Sequence, residues 1–117
     1  MIFDNNIPIY IQVIDDLKRR IIIGEIKSGE KLPSARELAI EYVINPNTAG
    51  RIYKELEQQE VCFTKRGLGT YVTEDEKKIE TIRHELLEGI TSELIGKLKK
   101  LGYSDEEIIS EISKKLS

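Results

Sequence analysis

Asn47, Thr48, Arg51 and Lys54 are the residues of this sequence whose types and spacing best suit chemistry with another molecule. At 100° per residue, Asn47, Arg51, Lys54 and Gln58 gather on one side of a helix, and Gly50 lies on its flank. Asparagine can pair bidentately with adenine and arginine with guanine, while threonine can bond a base or touch a thymine methyl. Arg36 precedes them, and a Lys65-Arg66 pair follows. Such side chains can take phosphates, a base edge or an adjacent minor groove. A polar helix face of this kind is often merely solvated, so the elements that carry these residues decide its meaning.

Catalytic arrangements find little support. His84, the single histidine, stands four residues before Glu88, but spacing supplies no further ligand for a metal. Gly67-Leu68-Gly69 lacks the third glycine, the following helix and the Lys-Ser/Thr of a phosphate loop, and suits a hairpin turn. Cys62 sits in an apolar run and reads as a core residue. The expectation is a protein that is not an enzyme and holds no cofactor or metal.

The elements can be placed from period and caps. Tyr10, Ile14, Leu17 and Ile21 form one apolar helix face within residues 8–23, with Pro8 at its start and Gly24 past its end. Residues 24–33 form a turn-rich link. Ser34 and Glu37 have capping-box spacing, and Ala35, Leu38, Ala39 and Tyr42 give a short one-sided helix. Pro46 and Gly50 in INPNTAGRIYKELE are types that disfavour helix interiors, by about 3 and about 1 kcal/mol relative to alanine. Behind an Asn45 cap, however, Pro46 occupies the first helical position, where no N–H is needed. Ala49, Ile52, Tyr53 and Leu56 then face a core. Gly50 is either a small cost without purpose or a place of close approach to a base edge or backbone. VCFT and TYVT, separated by KRGLG, read as a hairpin with a basic tip. Helix, short helix, turn, helix, hairpin is the order of a winged helix-turn-helix. From Glu74 a long stripe follows, Ile79, Ile82, Leu86, Ile90, Leu94, Leu98 and Leu101, ended by Gly102. Ser104 and Glu107 then cap a second helix carrying Ile108, Ile112 and Leu116. The fold class is thus mainly α with a small β-hairpin, with residues 1–73 as the winged unit and 74–117 as a two-helix tail.

Length and charge bound this reading. The 117 residues suit one small domain with an appendage, and carry a formal charge of −3. Residues 1–73 hold ten Lys/Arg and ten Asp/Glu, so the deficit lies in the tail and global charge is a weak guide. The sequence shows no run of about 18 apolar residues and no signal-peptide pattern at MIFDNNIPIY, and its single cysteine excludes an internal disulfide. These features point to the cytoplasm and away from a membrane.

The motifs PIYIQV, GEIKSGEKLPSARELA, INPNTAGRIYKELE and GLGTYV, in this order and spacing across residues 8–73, resemble the GntR family of bacterial transcription regulators, its short YtrA-like branch most closely. The resemblance implies a winged helix-turn-helix that binds an inverted-repeat operator in double-stranded DNA as a homodimer. By position it implies backbone and operator contacts from Ser34 and Arg36. Asn45, Asn47, Thr48 and Arg51 match the start of the recognition helix, and Lys65, Arg66, Gly67 and Gly69 match the wing. Three departures stand out. The turn before the recognition helix usually carries a glycine, where this chain has Tyr42-Val43. The helix reads Thr48-Ala49-Gly50 in place of the usual N-T-V and its continuation. The E-x-x-G ending is replaced by Gln59-Glu60.

In the YtrA-like branch a short helical tail serves dimerisation, and the stripe from Ile79 to Leu101 fits that role. The expected function is a DNA-binding regulator, a repressor, with a neighbouring transporter operon suggested by the branch. Neither operator nor small-molecule effector can be read from the residues. A winged-helix module for protein interaction, without specific DNA binding, is the alternative.

Overall fold

The computed structural model describes residues 1–117. Its elements are α1 (Ile9–Ile22), α2 (Ala35–Tyr42), α3 (Pro46–Gln58), β1 (Cys62–Lys65), β2 (Gly69–Val72), α4 (Glu76–Lys100) and α5 (Asp105–Leu116). Two compact units are distinguished, Met1–Arg83 and His84–Ser117. Sequence texture changes at Glu74, whereas packing divides within α4, because the buried Ile82 still belongs to the first unit.

In the first unit α3 is the central element, packed against α1, α2 and β1. Val13, Leu38, Ala49, Ile52, Leu56, Val61 and Val72 are wholly or almost wholly inaccessible, and no polar or charged residue is buried with them. Helix starts follow the expected chemistry. Ser34 Oγ accepts the Glu37 N–H while Glu37 returns a carboxylate oxygen to the Ser34 N–H, and Ser104 and Glu107 repeat the arrangement. Asn45 Oδ1 accepts the Asn47 N–H at 2.8 Å, and Pro46 follows at the first helical position. Polar bonds also lock α1 to α2. Arg20 donates to Glu41 and to the Tyr42 hydroxyl, both at 2.9 Å, and that hydroxyl donates to Asp16 at 2.7 Å.

Three helices end alike. After α2, Ile44 N–H reaches the Ala39 carbonyl and Val43 N–H the Ile40 carbonyl. After α3, Val61 reaches Leu56 and Glu60 reaches Glu57, and after α4, Tyr103 reaches Leu98 and Gly102 reaches Lys99. This paired pattern is a Schellman closure, which needs one residue in the left-handed region. Gly102 supplies it at φ +90°, but the other two positions hold Val43 at φ +55° and Glu60 at φ +60°. Two of the departures from the family pattern therefore fall where the backbone asks for glycine.

The hairpin pairs antiparallel, with Phe63 opposite Tyr71 and Lys65 opposite Gly69. Its strands lie one residue away from the expected VCFT and TYVT. Leu68 N–H bonds the Lys65 carbonyl and Gly67 has φ +77°, so the tip is a type II turn that requires glycine at its third position. The link before α2 is less loose than its sequence suggests. Gly29 and Leu32 donate to Val72 and Thr70 of β2, Val72 donates to Glu30, and Lys31 forms a bridge with Tyr71. The link thereby zips onto the free edge of the hairpin.

In the second unit Ile108 of α5 is buried. Ile90, Leu94 and Leu101 remain exposed, as does Leu87, which the sequence stripe omitted, while Leu86 and Leu98 are half-buried. In α4 before that unit, Ile79 is half-buried and Ile82 is already covered by its own chain.

Candidate nucleic-acid interface

Burial of Ala49, Ile52, Tyr53 and Leu56 turns the opposite side of α3 outward, and Asn47, Gly50, Arg51 and Lys54 are all exposed, with Thr48 half-buried beside them. Tyr53 anchors the helix by donating its hydroxyl to the Pro33 carbonyl, just before α2. Burial raises the pKa of that phenol, so it stays a neutral donor. A β-carbon placed on Gly50 would meet nothing within 4 Å, so packing within the chain does not require glycine there.

The N-terminal caps leave useful donors. Ser34 Oγ is used as an acceptor, which frees its O–H for a phosphate, and Asn45 uses Oδ1, which frees its amide nitrogen. Arg36 is exposed and borders a shallow depression with Ile40, Val43, Asn45 and Pro46. At the hairpin tip Lys65 Nζ lies 4.6 Å from the Tyr71 ring centroid and 5.6 Å from that of Phe63. Those two rings stack across the strands at 6.0 Å. Lys31 runs alongside, its Cε only 2.8 Å from where a β-carbon on Gly69 would sit. Arg66 and Gly67 complete the exposed tip.

Charge is arranged locally in a way the totals conceal. Several carboxylates of the first unit are occupied. Asp16, Glu25 and Glu41 hold Arg19 and Arg20, Glu37 serves the α2 cap, and Glu57 accepts from Thr64. Hydrogen bonding with Ser34 keeps Glu37 below the ordinary carboxylate range. By contrast, Lys31, Arg36, Arg51, Lys54, Lys65 and Arg66 take part in no ion pair. The cations of α2, α3 and the hairpin are thus available to an external polyanion although residues 1–73 are formally neutral.

Sequence reasoning missed Tyr10, Lys31 and the Phe63–Tyr71 pair. Arg51 Cζ lies 3.8 Å from the Tyr10 ring centroid, joining α1 to α3 in a contact no local pattern announces. The hairpin platform was accessible in principle, since residues 63 and 65 share a strand face and Tyr71 lies opposite Phe63. Elsewhere, His84 is exposed at 3.5 Å from Glu88, and no group of three His, Cys, Asp or Glu side chains could hold a metal. Cys62 is buried, and burial pushes its thiol up to about 12, so it is a packing residue. No helix is long and apolar enough to cross a membrane.

Residues 9–72 match the family model described as bacterial regulatory proteins, gntR family. The chain belongs to the GntR family. YhcF, an HTH-type transcriptional regulator of Bacillus subtilis, is 34% identical over 110 residues, 94% of this chain and 91% of that protein. YtrA, an HTH-type transcriptional repressor of the same organism, is 43% identical over 94 residues, 80% of this chain and 68% of that protein. A GntR family transcriptional regulator from Listeria monocytogenes superposes with a TM-score of 0.88 at 39% identity, covering 96% of this chain and 98% of that one. The relatives and the fold are those of transcription regulators and not of enzymes. The helix-turn-helix built from α2 and α3, with the hairpin as wing, is the GntR DNA-binding unit, and regulators of this family bind double-stranded DNA.

Proposed function

We propose that this GntR-family chain is a transcription repressor that binds an inverted-repeat operator as a homodimer. In this reading Asn47, Thr48 and Arg51 meet base edges in the major groove, and Lys54 and Arg36 flank them. Ser34 and Asn45 offer their free donors to phosphates, and Lys31, Lys65 and Arg66 carry the wing to the backbone or an adjacent minor groove. The observation that supports it best is the set of unpaired cations around the outward side of α3, beside carboxylates already engaged elsewhere.

Dimerisation is assigned to the tail. The exposed Leu87, Ile90, Leu94 and Leu101 make an apolar surface that a second copy would cover, with the half-buried Leu86 and Leu98 beside it. Ile79 and Ile82 would contribute less, because the chain itself already covers them in part or in full. Two copies supply the paired half-sites an inverted repeat requires. Action on DNA places the protein in the cytoplasm, and a neighbouring transporter operon is the proposed target from the branch resemblance alone.

The test is selection of duplexes from a random-sequence pool by the full-length chain. Enrichment of an inverted repeat whose binding weakens steeply with salt is expected. A pool that stays unenriched, with no salt-sensitive retention of any duplex, would sink the reading. Arg51→Ala should cost roughly 1–3 kcal/mol on the selected site and relax the preference at one base pair of each half-site.

A further inference from the structure

Arg51 differs from Arg19 and Arg20 of the same unit, whose guanidinium groups are held by carboxylates. Arg20 spends its donors on Glu25, Glu41 and the Tyr42 hydroxyl. Arg51 makes no hydrogen bond and no ion pair, and is held only by its position over the Tyr10 ring. A guanidinium resting on an aromatic face is restrained by the π cloud, so its donors stay unspent. A carboxylate in the same place would consume two of them.

The ring is itself well anchored. Tyr10 is the second residue of α1, and Val13 and Ile14 in the next turn are buried. The segment before α1 is tied down by Gln12, whose Nε2 donates to the Asp4 and Ile7 carbonyls and whose Oε1 accepts the Asp4 N–H. These bonds oppose fraying of the helix start that carries Tyr10. The Tyr10 hydroxyl has no partner in the chain, so the ring face is the working part.

We infer that Tyr10 is a specificity-determining positioning residue, which holds the Arg51 guanidinium ready for bidentate contact with a guanine edge. The inference rests on the proposal that α3 reads bases. Its physical content is pre-organisation: a long side chain ordered before binding has less freedom to lose on binding. The gain falls on the site that uses both guanidinium edges and is small on DNA met only through phosphates.

The probe is the duplex enriched by the wild-type full-length chain, compared with a scrambled duplex of equal length. Tyr10→Phe should bind the selected duplex within about twofold of wild type, because the ring face remains. Tyr10→Leu should weaken it by about 3- to 10-fold with little change on the scrambled duplex. In an Arg51→Ala background Tyr10→Leu should have no further effect. Equal binding by Tyr10→Leu and wild type overturns the inference. So does an undiminished Tyr10→Leu loss in the Arg51→Ala background, which would mark a general structural role. If Arg51→Ala itself leaves the selected duplex bound as tightly as before, Arg51 is not a base reader and the parent reading of α3 fails as well. Loss with Arg51→Ala but none with Tyr10→Leu leaves that reading intact and removes only this one.

Discussion

Replacing Val43 with glycine should stabilise the protein, although it removes a side chain and loosens the unfolded chain. Val43 closes α2 at φ +55° and ψ +54°, a region that costs an L-residue about 1–2 kcal/mol, with a β-branched residue toward the upper end. The residue is 87% exposed, so truncation forfeits almost no burial. Against the relief stands the extra freedom glycine gives the unfolded state, about 0.5–1 kcal/mol. The difference favours Val43→Gly by about 1 kcal/mol, which for a chain of this size is about 4 °C in Tm. Urea melts followed by circular dichroism, at one fixed protein concentration, would measure it, since self-association makes stability concentration-dependent. Val43→Ala serves as the control. It keeps a β-carbon in the left-handed region and should gain less than glycine. A Val43→Gly chain no more stable than wild type, or less stable than Val43→Ala, would show that the strain argument is wrong at this turn.

Four further outcomes are expected. Lys65→Ala combined with Arg66→Ala should weaken binding to selected and scrambled duplexes alike and lower the slope of log affinity against log salt by about two, as read by fluorescence anisotropy. Leu94→Asp should yield a monomer in sedimentation, because it sets a charge in the proposed contact surface at a position already 44% exposed in the single chain. Glu37 has its folded-state pKa lowered from an ordinary 4.5, so its contribution is present above that value and lost as pH falls through the depressed one. Glu37→Gln should therefore flatten the acid limb of a stability–pH curve measured by thermal melts. Cys62 should resist thiol reagents at pH 8 at a rate set by unfolding, since its buried thiol is pushed up to about 12. Rapid stoichiometric labelling of the native protein would contradict that.

What could be read from the sequence was what lies close along the chain. Ser34 with Glu37, Asn45 with Pro46 and Ser104 with Glu107 mark helix starts through bonds that span two or three residues, and all form as expected. The outward side of α3 followed from the period of Ala49, Ile52, Tyr53 and Leu56. What escaped was set by partners remote in sequence. The stack of Arg51 on Tyr10 joins two helices, and nothing near either residue signals it. Pairing of residues 29–32 with β2 depends on an edge left free by the hairpin, so the segment read as a loose link. Val43 and Glu60 escaped for another reason: their residue types argue against the left-handed geometry that the surrounding helix ends impose.

The zipped link has a consequence for how the chain acquires its shape during synthesis. Gly29, Glu30 and Leu32 exchange hydrogen bonds with Thr70 and Val72, about forty residues further on. α1, α2 and α3 can form and meet as each emerges, because their contacts need only residues already made. The seam beside them cannot close until β2 has left the ribosome and turned back. Its closure joins residues about forty positions apart, a span the α1–α3 contacts share, but it alone must wait for β2. Until β2 has emerged, the recognition surface of α3 has no wing to orient it on a groove.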